Sequence, residues 1–278
     1  MAYRRIWMIA AGLTGAAALG AAAVTARGDA ARTRHAAGTL APGDSSPVVD
    51  PDAVAALDKM GNYLRTLKAV QIKAVVTDEE VSLDGEKVQT TNTVDLLASR
   101  PNRMRVEVAS ERQPRVFYYD GKTFTLWAPK LDFYAKTDAP GTINELADRL
   151  SDKYNIDLPL VDLFRWGTPE SGFKELTAAT DMGPSSVDGT TCEQYVFRQD
   201  GLDWQLWIQS GDYPLPRKLV LTTTTDDARP QHTSVWTWNL APSFNDQEFA
   251  FTPPAGAHRI EFLDAEKLRA LGATGGAK

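Results

Sequence analysis

Between residues 51 and 67, apolar side chains recur at three- and four-residue steps: Val54, Leu57, Met60, Tyr63, Leu64 and Leu67. That spacing places them on one stripe of an amphipathic helix. Asp50 stands where it can cap the free amides, and Pro51 opens the first turn without wasting a donor. From residue 70 the period falls to two. Val70, Ile72, Ala74 and Val76 alternate with polar residues, Asp84-Gly85 turns the chain, and Val88 to Ala98 returns it, which predicts a long antiparallel hairpin. The alternation continues through Met104, Val106 and Val108, through Val116 to Tyr119, across the Asp120-Gly121 turn, and into Phe124 to Ala128 and Phe133 to Lys136.

Residues 140 to 166 break this rhythm. Ile143, Leu146, Ala147 and Leu150 form a helical stripe, Leu160, Val161, Leu163 and Phe164 a short apolar second helix, and Pro159 separates the two. Strand grammar then resumes: Ala178 to Val187, the Asp188-Gly189 turn, Thr190 to Arg198, Asp200-Gly201, Leu202 to Gln209, Arg217 to Thr225 and His232 to Leu240. The pattern predicts about eleven strands and a few helices in one continuous meander, too continuous for two separate domains, so the chain reads as mainly β within an α+β frame.

Alternation also assigns faces. Trp204, Leu206 and Ile208 share one face of their strand, Leu219 and Leu221 one face of the next, and Trp236, Trp238 and Leu240 one face of the last. These faces are large and greasy, and the only obvious covers are the helices at 51 to 67 and 140 to 166. A curved sheet half-covered by helices leaves room for a hydrophobic ligand. Trp204, Leu206, Ile208, Leu219, Leu221, Trp236 and Trp238 are therefore the expected ligand-binding residues.

The two ends carry different information. Arg4 and Arg5 precede an apolar run from Ile6 to Val24, with small residues at Val24 and Ala26, the order of a secretory signal. Residues 1–26 read as a signal peptide cleaved after Ala26, with an uncleaved inner-membrane anchor as the alternative. Residues 27–49, rich in Ala, Gly, Ser, Thr and Pro, read as a flexible spacer, residues 50–263 as the folded domain, and residues 264–278 as a tail. Periplasmic export follows. The one cysteine, Cys192, lies far from the signal, so it neither accepts a lipid there nor finds a disulfide partner, and it reads as a small buried strand residue.

Composition removes several chemistries. With 30 Lys plus Arg against 36 Asp plus Glu, the formal charge is -6, and no basic stripe marks a nucleic-acid surface. The three histidines, His35, His232 and His258, show no metal-ligand spacing, so neither a metal nor a cofactor is expected. A Ser-His-Asp set could be drawn from Ser234 and His232. There is no Gly-x-Ser-x-Gly turn, and strand alternation is expected to send the two to opposite faces, so hydrolysis is set aside. Asp78, Glu79 and Glu80 are expected on a solvated hairpin face, as is Asp226-Asp227.

Three stretches, in order, resemble the LolA family of periplasmic carriers of outer-membrane lipoproteins: Arg100-Pro101-Asn102 leading into a strand, Asp120-Gly121-Lys122-Thr123 at a hairpin, and Phe249-Ala250-Phe251-Thr252-Pro253-Pro254-Ala255-Gly256 after the last strand. Leu126-Trp127-Ala128-Pro129 with Phe133-Tyr134, Ile156-Asp157-Leu158-Pro159, and Leu215-Pro216-Arg217-Lys218-Leu219-Val220 are similar to an uncharacterised family of predicted periplasmic proteins in the same superfamily, domain of unknown function 2092, over most of residues 50 to 263. The resemblance implies an open antiparallel half-barrel of about eleven strands with a helical lid. It also implies that Arg100 is the latch arginine that bonds the lid and holds the closed form. The spacer and the segment around residues 165 to 185 depart from LolA, and the lipidated cysteine of the related LolB is missing. The expected function is a non-enzymatic periplasmic carrier or sensor whose concave face binds an acyl chain, lipid or lipoprotein, with an envelope membrane protein as a further partner. The alternative is a regulatory module of the RseB type that holds a protein partner.

Overall fold

The computed structural model describes residues 48–139 and 141–264; the proposed signal and most of the spacer and tail lie outside them. The expected N-terminal helix forms as α1 (Pro51–Thr66), where the Asp50 carboxylate accepts from the Asp52 amide at 2.9 Å. Its buried stripe is Ala53, Leu57, Met60 and Leu64, with Val54, Tyr63 and Leu67 packed at the margin. Six strands follow: β1 (Ala69–Val81), β2 (Lys87–Ser99), β3 (Arg103–Ala109), β4 (Arg115–Tyr119), β5 (Thr123–Ala128) and β6 (Phe133–Asp138). After the insert, α2 (Ile143–Tyr154) and α3 (Asp162–Arg165), come β7 (Ala178–Val187), β8 (Thr190–Gln199), β9 (Leu202–Gln209), β10 (Pro216–Thr223), β11 (Gln231–Asn239) and β12 (His258–Ile260).

All twelve strands join one open sheet in the order β12-β6-β5-β4-β3-β2-β1-β11-β10-β9-β8-β7. Each pairing is antiparallel except β12 on β6. The expected turns hold: Asp188 and Gly189, with φ of 47° and 77°, both take the left-handed backbone of a two-residue hairpin. The expectation of about eleven strands misses β12, whose three residues are all exposed and carry no alternation of their own. It forms because the free edge of β6 offers unpaired backbone groups.

The segment leading to β12 wraps that edge. Phe251 packs on the outer face against Tyr118, Trp127 and Tyr134, at ring separations of 5.3, 5.7 and 5.1 Å. Beyond β12, Phe262 reaches the inner face, 5.8 Å from Phe124 and 5.0 Å from Tyr154. The inner face otherwise meets α1, α2, α3 and two 3-10 turns, Pro169–Ser171 and Phe173–Glu175. Among the described residues no helix is long and apolar enough to cross a membrane.

Two glycines let α1 and the insert touch backbone to backbone. A Cβ at Gly61 would lie 2.6 Å from the Gly167 Cα, and one at Gly167 would lie 2.4 Å from the Gly61 carbonyl carbon. Gly167 also has a φ of 79°, a conformation that a side chain disfavours. Gly61→Ala should thus lower stability by about 1–3 kcal/mol through overpacking, read as a fall in Tm. An unchanged Tm would mean that the two segments part without cost.

Candidate functional site

The inner face carries the seven expected ligand-binding residues side by side. Register sets Leu219 opposite Leu206 and Leu221 opposite Trp204, and sets Trp238 opposite Ile72 and Trp236 opposite Ala74. Trp204, Leu206, Ile208, Leu219, Leu221 and Trp236 are buried, and Trp238 is half-buried, its indole N–H donating to the Pro216 carbonyl at 2.8 Å. What covers them is the chain itself. Phe173 stacks over Trp204 at 6.4 Å, Trp166 meets Trp236 edge-on at 6.1 Å, and Leu163 and Phe164 enter the same core.

The insert is fastened at both ends. At its start, Thr142 and Glu145 form a capping box, Ile143 donates its amide to the Pro101 carbonyl at 2.9 Å, and the Tyr119 hydroxyl donates to the Gly141 carbonyl at 2.5 Å. Farther along, Arg165 pairs with Asp148 at 2.7 Å and the Gln199 amide donates to the Gly172 carbonyl at 2.9 Å. Arg100 meets the insert through a ring face, its guanidinium carbon 4.7 Å from the Phe164 centroid, and burial lowers its pKa from the ordinary guanidinium value. A desolvated cation over an aromatic face is worth about 0.5–2 kcal/mol.

Some polar atoms in this seam have no partner among the described residues. The indole nitrogens of Trp166 and Trp236, Asn144 Oδ1 and Gln199 Oε1 are buried without a hydrogen bond. Each such group costs about 1–3 kcal/mol relative to a satisfied one. Elsewhere, a cleft of about 1130 Å³ opens at the β7 to β10 end among Arg198, Asp203 and Arg229. Of the seven expected residues it touches Trp204 alone, and its ion-paired walls suit it less well to an apolar ligand.

The expectation that alternation separates Ser234 from His232 is corrected by the structure. The two are two residues apart, so alternation places them on the same face, and His232 Nε2 lies 2.9 Å from Ser234 Oγ. Asp78, expected on a solvated face, instead turns inward, and its carboxylate sits 2.6 Å from His232 Nδ1. The register explains why, since Asp78 is directly opposite His232 across β1 and β11. Glu79 stays outside, paired with Lys87 at 3.2 Å. His232 and Ser234 are buried. Sequence spacing could have revealed the His232 and Ser234 pair; finding Asp78 needed the strand register.

Above this polar row lies Asp162, the first residue of α3, only 8% exposed. Burial pushes its carboxyl up from 3.8 to about 7, with Asp157 adding to the rise and Arg165 and His232 opposing it. Cys192 is buried on the outer face beside Trp207 and Val220, and burial raises its thiol pKa. Among the described residues no group of three metal-ligating side chains occurs.

A family model described as predicted periplasmic protein, DUF2092, matches residues 53–263. The chain belongs to that family. As a member of DUF2092 it is a periplasmic protein, as the signal-like N-terminus leads one to expect. No curated protein matches the sequence. Solved structures similar in fold include the Mycobacterium tuberculosis lipoprotein LppX, at 14% identity over 70% of this chain and 100% of that one, TM-score 0.44. LprF from Mycobacterium bovis is 13% identical over 77% and 100%, TM-score 0.42. A LolA superfamily protein from Nitrosomonas europaea is 8% identical over 72% and 97%, TM-score 0.31.

Because the folded-state pKa of Asp162 lies above its unfolded value, the group favours folding fully below about pH 4. That contribution is lost as the pH rises through about 7. Thermal denaturation should therefore show stability falling across this window, and Asp162→Asn should flatten the profile. Parallel profiles for the two proteins would mean that the carboxyl is not held neutral in the fold.

Proposed function

We propose that this DUF2092 protein is a non-enzymatic periplasmic carrier or sensor whose concave face takes up an apolar ligand, an acyl chain or the lipid part of a lipoprotein, in place of its own lid. The observation that carries the reading is the nature of the plug. The apolar face is filled by Leu163, Phe164 and Phe173, side chains of a segment made of one short helix and two 3-10 turns. Such short elements have little stability apart from their packing. A ligand that binds the open form shifts the population toward it by as much as its preference for that form allows. Burying one large apolar side chain is worth about 1.5–3 kcal/mol, so an acyl chain can replace what the lid surrenders.

Replacing Trp236 and Trp238 together by serine should abolish binding of a fluorescent fatty acid while circular dichroism reports an intact sheet. Unchanged binding would place the ligand elsewhere.

Arg100 is proposed as the latch, holding Phe164 down by its planar face. Arg100→Leu should shift the protein toward the open form and alter the off-rate of the same probe several-fold, and Arg100→Lys, which keeps the charge without the planar fork, should restore the wild-type rate only in part. Equal off-rates in all three proteins would make Arg100 an ordinary packing residue.

A further inference from the structure

We propose that the seam between α3 and β11 seats the polar end of the ligand, and that this ligand is a neutral long-chain acyl ester whose carbonyl oxygen accepts from the indole N–H groups of Trp166 and Trp236. The inference rests on the concave face being a site for a hydrophobic ligand, and it names the chemistry of the head.

The first support is the pair of indoles. Trp166 closes α3 on the lid, Trp236 stands on the sheet, and their rings meet at 6.1 Å and 74°. Both nitrogens are buried and find no hydrogen-bond partner among the described residues. An indole nitrogen can only donate, so whatever satisfies these two must accept. An apolar wall would serve as well with phenylalanine at both positions, and phenylalanine would leave no donor orphaned. Two orphaned donors on rings that meet across one seam suit an oxygen with two lone pairs, which a carbonyl supplies and a hydrocarbon does not.

The second support is the charge around the seam, which selects among carbonyl compounds. Asp162 sits one turn before Trp166, whose amide donates to the Asp162 carbonyl at 3.0 Å. On the sheet side, Asp78 backs His232, two strand positions from Ser234 and four from Trp236. Two arginines flank α3, each with a partner of its own. Arg165 is paired with Asp148. Arg100 lies on the Phe164 ring, and residue 164 projects from the side of the helix opposite residues 162 and 166. A free carboxylate at the indoles would thus meet acidic neighbours, whereas an ester meets two donors and adds no charge. The buried Asp162 carboxyl, pushed up by burial to about 7, shows how poorly this seam tolerates a further anion.

Displacement of the apolar dye 1-N-phenylnaphthylamine from the purified protein, with hexadecane, methyl palmitate and palmitate delivered from cyclodextrin at about pH 8, tests this. Wild type should bind methyl palmitate about tenfold more tightly than hexadecane, as expected for carbonyl hydrogen bonds made in a dry site, and more tightly than palmitate. Trp166→Phe and Trp236→Phe should each weaken the ester by more than they weaken hexadecane, removing most of the ester's advantage. Equal affinity of wild type for ester and hydrocarbon overturns the proposal, as does an equal loss of both probes in the variants, which would make the indoles mere bulk. Palmitate binding best overturns the neutral head. Failure of hexadecane itself to displace the dye from wild type would instead bring down the apolar-site reading on which the proposal rests.

Discussion

The rest of the molecule depends on one requirement: an open sheet of twelve strands with an apolar inner face must have that face covered. A closed barrel would satisfy it by curling on itself, and a sandwich by a second sheet. Here the two edges, β12 and β7, remain apart in the strand order, and the cover comes from α1 and the insert between β6 and β7. The cover need not be permanent, because it is joined to the sheet by a few ties at its ends and by side-chain packing in between.

The materials of that cover differ along its length. α1 is a regular, capped helix with a continuous buried stripe. The part over Trp204 and Trp236 is broken into a four-residue helix and two three-residue turns, and it fills its space with rings more than with backbone regularity. Where α1 and this part meet, Gly61 and Gly167 allow the chains to touch. The backbones pack closely there while hydrogen bonding is incomplete, since indole and amide groups on both sides of the seam have no partner among the described residues. A seam with good shape and unsatisfied polarity is what a surface adapted to a different occupant would present when it closes on itself.

The inward polar row of Asp78, His232 and Ser234 belongs to the same account. Its members satisfy one another at 2.6 and 2.9 Å, so the sheet can carry polar side chains beneath the lid without leaving them all unpaired. Asp162 then approaches this row from above, and burial raises its carboxyl to about 7. The polar row is thereby confined to one end of the β1 and β11 pair, whose other inward positions, among them Ile72, Ala74, Trp236 and Trp238, are apolar like those of β9 and β10.

Much of this was readable from residue order, because the side-chain period is local. The buried stripe of α1, the Asp-Gly turns, the shared faces of Trp204, Leu206 and Ile208 and of Trp236 and Trp238, and the helical break at 140 to 166 all follow from spacing along one element. The features that escaped are those made between elements. β12 exists because β6 leaves an edge free, not because His258–Ile260 carries a strand pattern. Asp78 meets His232 because register pairs β1 with β11 across more than 150 residues of chain, and the indoles of Trp166 and Trp236 meet because a lid folds over a sheet. Periodicity determined which residues face inward; which of them touch, and which polar groups are left without a partner, depended on long-range register and packing that no local pattern encodes.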